Sequence, residues 1–355
     1  MNILLILLGL ALLTAGGELL IRGASRLAAA AGIPPLLIGL TVVAFGTSAP
    51  ELAVSIKAAL SGQADLALGN VVGSNTFNVL LILGLSALIL PLAVSVQLIR
   101  LDVPIMIAVS ALAWILAANG VVSRIEGGLL AAGLVAYTAL QIRLGLKQQP
   151  PATTGASDTT PPKTNPWPSL LCIALGLTLL VFGSRALVDG ATAIARSFGV
   201  SELMIGLTIV SAGTSLPEVA TSIIAATRGQ RDIAVGNVVG SNIFNILGVL
   251  GISAALSPQG IAVAPAALSF DIPIMLAVAF ACLPIFITAG RIDRWEGALF
   301  LSFYAAYLAS LILAATTHPG LNGFTSAMAG FVIPLATLTL GLSLIYSRTP
   351  PAHDR

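Results

Sequence analysis

From residue 2 onward the chain repeats one pattern: about twenty apolar positions, a short polar break, then another apolar run. Runs of about 18 or more residues are the length at which a helix crosses a hydrocarbon core of roughly 30 Å. Their positions predict eleven transmembrane helices, over 2–21, 35–60, 68–91, 101–118, 125–146, 168–196, 202–227, 235–257, 270–289, 295–315 and 326–346. The predicted class is an all-α integral membrane protein. The first run resembles a secretory signal in length, but it has no basic start and its counterpart at 168–196 is internal, so it is read as a retained helix.

Composition sharpens this reading. The 355 residues are 57% hydrophobic and 8% charged, against roughly 25% charged in soluble domains. A net charge of +2 without a basic cluster excludes a nucleic-acid partner. Cys172 and Cys282 both fall inside spans, which gives neither a disulfide framework nor a metal-ligand spacing. The distribution of basic residues carries more information than their sum. With the N-terminus outside, Arg22, Arg26, Arg100, Arg143, Lys147, Lys163, Arg228, Arg231, Arg291, Arg294, Arg348 and Arg355 lie on the cytoplasmic side, leaving Lys57, Arg124, Arg185 and Arg196 outside. Basic residues in short loops set orientation. The expectation is a multi-pass protein of the plasma or inner membrane, N-terminus out and C-terminus in.

Polar letters recur within the apolar background. Residues 39–85 laid over 206–252 at a constant offset agree at about 30 of 47 positions, and "GTSAPE" (46–51) returns as "GTSLPE" (213–218), "GNVVGSNTFN" (69–78) as "GNVVGSNIFN" (236–245). With small gaps "LDVPIM" (101–106) matches "FDIPIM" (270–275), and Tyr137 matches Tyr307. Each copy holds five spans. An odd number of crossings inverts the second copy relative to the first, an arrangement typical of secondary transporters with a site at the repeat interface. The expected organisation is a first five-helix repeat over 1–146, a cytoplasmic linker rich in Pro, Thr and Ser over 147–167, an inverted second repeat over 168–317, and an extra helix with a tail over 318–355.

The repeated motifs place oxygen where lipid would otherwise require carbon. Pro50 has no N–H, so the helical bond to the Gly46 carbonyl is lost and the turn around residues 44–47 is loosened. Thr47, Ser48 and Glu51 gather on one face at that break, as do Thr214, Ser215 and Glu218 in the second copy. A carboxylate at mid-membrane costs roughly 2.5–3.5 kcal/mol even on lenient scales. No Lys or Arg lies mid-span in these segments to offset it, which leaves a bound cation or a proton. Ser74 and Asn78, with Ser241 and Asn245, add neutral oxygens four residues apart on their helices. An all-oxygen set without His or Cys suits hard cations such as Ca2+ and Na+ and argues against zinc or copper.

Blander roles compete. The glycines and small residues of both motifs could serve tight helix packing. Asp65 and Asp232, in short loops before helices, are read as N-caps. Asp102, Asp271, Glu126 and Glu296 are read as exposed interface or cap residues, and His318 and His353 as loop and tail residues.

The doubled GTSxPE and GNxxGSN motifs resemble the alpha-repeats of the sodium/calcium exchanger family, within the cation/calcium antiporter superfamily. The resemblance covers ten of the eleven predicted helices. It implies two inverted five-helix repeats, helices 2, 3, 7 and 8 forming the ion-binding core and helices 1 and 6 sliding across it as a gate. By the same resemblance the acidic ligands fall on Glu51 and Glu218, and the hydroxyl ligands on Thr47, Ser48, Thr214 and Ser215. Second-motif ligands fall on Ser74, Asn78, Ser241 and Asn245, and carbonyl ligands on Ala44 and Ser211. Many members carry Asp where this chain has Asn245, so two carboxylates are expected here, not three, which leaves the driving ion and its stoichiometry open. The eleventh helix has no counterpart in the ten-helix pattern. The expected function is antiport of Ca2+ against Na+ by alternating access, both being transported ions with no resident cofactor, with the lipid bilayer as surroundings. A Ca2+/H+ antiporter using the same site is the alternative. A membrane hydrolase lacks a nucleophile with a nearby base, and a channel would be slowed by tightly binding buried carboxylates.

Overall fold

The computed structural model describes residues 2–147, 166–199, 211–288, 290–335, 337–339 and 341. The predicted linker lies outside these residues at 148–165, as do residues 202–210 of the span predicted over 202–227 and the end of that over 326–346. Described in chain order are α1 (Asn2–Ala31), α2 (Pro35–Thr47), α3 (Ala49–Leu60), α4 (Ala64–Ile89), α5 (Leu98–Ala117), α6 (Arg124–Lys147), α7 (Trp167–Ser197), α8 (Leu216–Thr227), α9 (Arg231–Leu256), α10 (Ala267–Ile287), α11 (Arg294–Ala315) and α12 (Leu321–Thr339). Among the described residues nine helices are long and apolar enough to cross a membrane, or ten when α2 and α3, bent by 44° at Ser48, count as one broken span.

Three of the boundaries that differ from the hydropathy reading have a local cause. α1 runs to Ala31 and not to 21, because Arg22 stays in the helix and bonds Glu18 one turn back at 2.7 Å. α5 and α10 start at Leu98 and Ala267, earlier than 101 and 270, because each opens with a π-helical turn, Leu98–Asp102 and Ala267–Asp271, ahead of Pro104 and Pro273. That earlier start carries Asp102 into the membrane protein's interior. Contrary to the expectation of an exposed residue, Asp102 is fully buried and accepts hydrogen bonds from Gln141 Nε2 (2.5 Å), Tyr137 Oη (3.2 Å) and Gln97 Nε2 (3.2 Å). Its repeat partner Asp271 accepts from Tyr307 Oη at 3.1 Å. Glu126 and Glu296 do cap helices, bonding the amides of Ser123 (2.7 Å) and Asp293 (2.8 Å), although Glu296 is buried and not exposed. Asp65 and Asp232 are not N-caps. Gln63 and Gln230 hold that position, and the aspartates sit in the first helical turn, where the positive end of the helix dipole still favours them.

Contacts occur in mirrored pairs with the two repeats exchanged. Two short antiparallel pairings join the connecting loops: β1 (Leu92–Ala93) with β4 (Arg291–Ile292), and β2 (Val121–Val122) with β3 (Ile261–Ala262). The first pairing lies on one side of the helix bundle and the second on the other, as the alternation of spans requires. Cys172 and Cys282 are free thiols.

Helices in lipid gain little from hydrophobic association and rely on close packing of small residues. α1 and α7 are antiparallel and interlocked through glycines spaced seven apart, Gly9, Gly16 and Gly23 against Gly176, Gly183 and Gly190. A Cβ at Gly16 would lie 2.8 Å from the Gly176 carbonyl oxygen, and one at Gly183 2.8 Å from the Leu13 amide nitrogen. This pair lies across the remaining bundle unequally. α8 packs against both helices, with Gly17 of α1 over Ile224 and an ion pair of 2.9 Å between Glu18 and Arg228 at its end, whereas its repeat partner α3 has no comparable packing on either. Ala53 of α3 is accordingly exposed while the equivalent Ala220 is half-buried.

The interlock predicts opposite outcomes for one chemical change. Gly16→Ala and Gly183→Ala should each destabilise the protein by about 1–3 kcal/mol through overpacking. Gly128→Ala, whose Cβ would meet nothing within 4 Å, should be neutral or stabilising by up to about 1 kcal/mol. Thermal unfolding of the three purified variants in detergent checks the sign.

Candidate functional site

The helix break predicted at the first motif is present in both repeats. Ser48 (φ −81°, ψ 4°) separates α2 from α3, and Ser215 (φ −90°, ψ 7°) precedes α8, with Pro50 and Pro217 in the opening turns that follow. Each break creates a new helix N-terminus inside the bundle. Glu51 and Glu218 occupy those first turns, where free amides and the helix dipole favour negative charge. Both glutamates are buried, with relative exposures of 0% and 1%.

Hydrogen bonds then cross from one repeat to the other. Ser215 Oγ donates to Glu51 Oε1 at 2.9 Å, and Ser48 Oγ donates to Glu218 Oε1 at 3.2 Å. Ser215 also lies 3.1 Å from Ser74 Oγ. Thr47 Oγ1 lies 3.1 Å from both Asn237 Oδ1 and the Val43 carbonyl, and Thr214 Oγ1 3.3 Å from Asn70 Oδ1; each hydroxyl has a single proton to donate, so lone pairs are left over. The structure therefore brings Glu51, Glu218, Ser48, Ser215, Ser74, Thr47 and Thr214 into one cross-linked array. Ser241, Asn78 and Asn245 are buried on the adjoining stretches of α4 and α9. The Ala44 carbonyl accepts the Ser48 amide at 3.0 Å and a longer contact of 3.4 Å from Thr47, so it is occupied at the break and not wholly freed. Ser211 opens the short helical turn Ser211–Gly213; its side chain lies outside the described residues.

Several buried oxygens in this array and on those adjoining stretches bond to nothing. Glu51 Oε2, Glu218 Oε2, Asn78 Oδ1, Asn245 Oδ1 and Ser241 Oγ all lack a hydrogen-bond partner. Leaving one buried polar group unpaired costs about 1–3 kcal/mol. Four of these five atoms are pure acceptors when the acids are ionised, so what satisfies them must come from outside the set: a cation, a proton or a water. The set contains oxygen alone and, among the described residues, no cluster of three or more His, Cys, Asp or Glu side chains. Hard cations fit such a set; Ca2+ takes about six to eight oxygens. Asn78 and Asn245 each begin a π-helical turn, Asn78–Leu83 and Asn245–Leu250, a distortion frequent at functional sites.

Four asparagines were missed by the sequence reading. Asn70 Nδ2 donates to the Glu51 carbonyl (3.1 Å) and to Ser55 Oγ (2.9 Å), and Asn237 Nδ2 donates to Ser222 Oγ (3.0 Å), bracing the helices that follow each break. Asn75 and Asn242 bond across the repeat interface. The available signal was identity of all four between repeats, including two amides inside apolar spans that the spacing of Ser74 and Asn78 does not use.

Comparison with known proteins places this geometry. The family model described as sodium/calcium exchanger protein matches residues 1–143 and 168–313. The sodium/calcium exchanger MaX1 of Methanosarcina acetivorans is 33% identical over 345 residues, covering 87% of this chain and 98% of that protein. The inner membrane protein YrbG of Escherichia coli is 41% identical over 278 residues, 77% of this chain and 85% of that one. Among solved structures, the sodium-calcium exchanger NCX_Mj superimposes with a TM-score of 0.74 at 31% identity, over 87% of this chain and 98% of the other.

The unpaired carboxylate oxygens predict a stability effect separate from transport. Glu51→Gln and Glu218→Gln should each stabilise the cation-free protein, because a neutral amide costs less to bury than an uncompensated carboxylate. Added Ca2+ should raise the melting temperature of the wild type and leave both variants where they are. Melting curves with and without Ca2+ check both statements.

Proposed function

Because the chain belongs to the sodium/calcium exchanger protein family, we propose that it is a secondary antiporter that exports Ca2+ against Na+ through this site, with Glu51 and Glu218 as its charged ligands. The observation that carries the reading is the group of five buried, unpartnered oxygens, two supplied by the first repeat and three by the second. Thr47, Ser48, Thr214, Ser215, Ser74, Ser241, Asn78 and Asn245 complete the oxygen set, with the carbonyls of Ala44 and Ser211 at the breaks.

Charge bookkeeping favours exchange over simple storage. Two ionised glutamates balance one Ca2+, so removing the ion re-creates two uncompensated buried charges and must be accompanied by entry of other cations. The acids therefore couple Ca2+ exit to Na+ entry. Unequal packing of the α1–α7 pair, which covers α8 and leaves α3 uncovered, supports alternating access: in an inverted repeat, exchanging the two environments converts access from one side to access from the other. Two states related in this way need one sliding element, and the glycine-interlocked pair is the element that differs. Orientation follows from the basic loops, with the N-terminus outside and the C-terminus in the cytoplasm.

Ca2+ uptake into proteoliposomes, driven by an imposed Na+ gradient, tests the reading directly. Glu51→Gln or Glu218→Gln should abolish uptake at normal protein levels; normal flux in either variant removes the carboxylates from the site. Uptake driven by a pH gradient without Na+ assigns the counter-ion to H+ instead. Asn245→Asp adds a third acid. Three Na+ on two carboxylates leave one excess positive charge, so the third acid should strengthen Na+ inhibition of Ca2+ uptake, while Ca2+, already balanced by two charges, changes less.

Sidedness is checked separately. A reporter fused after Arg355 should read cytoplasmic, and a cysteine introduced at His318 should be labelled from outside. The reverse pattern inverts the assigned direction of export.

A further inference from the structure

The oxygens of Asn78 and Asn245 are unpartnered because their amide nitrogens are held elsewhere. Asn78 Nδ2 donates to Asn242 Oδ1 at 3.0 Å, and Asn245 Nδ2 donates to Asn75 Oδ1 at 3.0 Å. Asn242 Nδ2 in turn donates to the Asn75 carbonyl and Asn75 Nδ2 to the Asn242 carbonyl, both at 3.2 Å. Four bonds thus close a reciprocal pattern at the crossing of α4 and α9, with Asn75 and Asn242 both 2% exposed. The holder of each site amide belongs to the opposite repeat.

We propose that Asn75 and Asn242 are positioning residues of the ion site: each locks the amide of the other repeat's second-motif asparagine, Asn242 holding Asn78 and Asn75 holding Asn245, so that the amide oxygen is presented unpaired to the cation. The inference rests on reading the site as a Ca2+ site. Its physical basis is the planarity of the amide. Once Nδ2 is committed to a partner, Oδ1 of the same group is directed away from that partner, and the side chain cannot turn its donor hydrogens toward a cation. Without the lock, an asparagine beside a cation-free site gains by rotating, because its NH2 could donate to an ionised carboxylate and close the site with an internal hydrogen bond. An asparagine is suited to the holder role as few side chains are. Its oxygen accepts from the held amide while its nitrogen satisfies a main-chain carbonyl of the neighbouring helix. Aspartate has no such donor when ionised, and alanine offers neither group. The pattern ties each half of the ligand set to the opposite repeat, so the two halves form together at the crossing.

A double-mutant cycle on Ca2+ affinity separates positioning from a merely structural role. The full-length purified protein is titrated with Ca2+ calorimetrically, and the KM and maximal rate of uptake are measured beside it, for Asn75→Ala, Asn242→Ala, Asn78→Ala, Asn245→Ala and the pairs. Loss of a group that orients a metal ligand costs on the order of 10–100-fold in affinity, so Asn242→Ala should weaken Ca2+ binding to about the same degree as Asn78→Ala. The pair Asn242→Ala with Asn78→Ala should be no worse than the worse single variant, because the holder has nothing left to hold. The pair Asn242→Ala with Asn245→Ala should multiply, although those residues lie three apart on one helix. Asn75→Ala should show the converse pattern, coupled to Asn245 and independent of Asn78. Multiplicative losses in the cross-repeat pairs overturn the proposal, as does an unchanged Ca2+ affinity accompanied only by a lower melting temperature. Should the alanine variants not be recovered folded, serine at 75 and 242, too short to reach the held amide, carries the same cycle. A wild-type protein that binds no Ca2+ overturns the parent reading of the site; wild-type binding with an uncoupled cycle overturns this inference alone.

Discussion

Two buried carboxylates, each with one oxygen bonded to a serine of the opposite repeat and the other bonded to nothing, set the terms for the surrounding structure. An ionised group in an apolar interior is tolerated only when something offsets it. The broken helices answer part of that demand by leaving helical geometry at Ser48 and Ser215 and placing Glu51 and Glu218 in the first turns of the helices that follow. The protein itself leaves the rest of that demand unmet, and in the proposed reading a cation meets it and leaves only in exchange for another.

Around that centre the protein economises on polar groups by using each one twice. Thr47 contacts Asn237 and the Val43 carbonyl and retains lone pairs; Asn242 accepts from Asn78 and donates to the main chain of Asn75. Because these bonds have mirrored copies with the repeats exchanged, the oxygen array belongs to neither half alone. Asp102 shows the contrasting solution. Its carboxylate is just as buried but takes three donors from Gln141, Tyr137 and Gln97, so it has no unmet demand and fastens α5 to α6. Burial of an acid is thus a poor marker of function by itself, and so is one unpaired oxygen, which Glu296 also has; the informative part is the gathering of unpaired oxygens from both repeats.

Symmetry also bears on the alternating access proposed for the molecule. Glycines at seven-residue spacing join α1 and α7 into one unit through backbone contacts that admit no Cβ, while contacts of that unit with α8 and α3 are unequal. The strongest packing lies within the pair, and the weaker, unequal packing lies between the pair and the helices that carry Glu51 and Glu218.

The sequence by itself determined the membrane class, the internal repeat, the helix breaks and the two acids, since each of these follows from local rules: apolar length, constant offset, a proline without an amide, and a charge with no neighbour to pair it. It did not reveal where helices begin when a π-helical turn carries polar residues inward, which is why Asp102 was read as exposed. Nor did it separate Asn78 and Asn245, which leave an oxygen free, from Asn75 and Asn242, which consume theirs. All four are asparagines at similar spacing in the same decapeptide, and chemistry at the level of residue type cannot tell them apart. Only the crossing of α4 on α9 decides the matter, because the partner of each amide comes from a segment 164–170 residues away, and which lone pair is left over depends on that geometry.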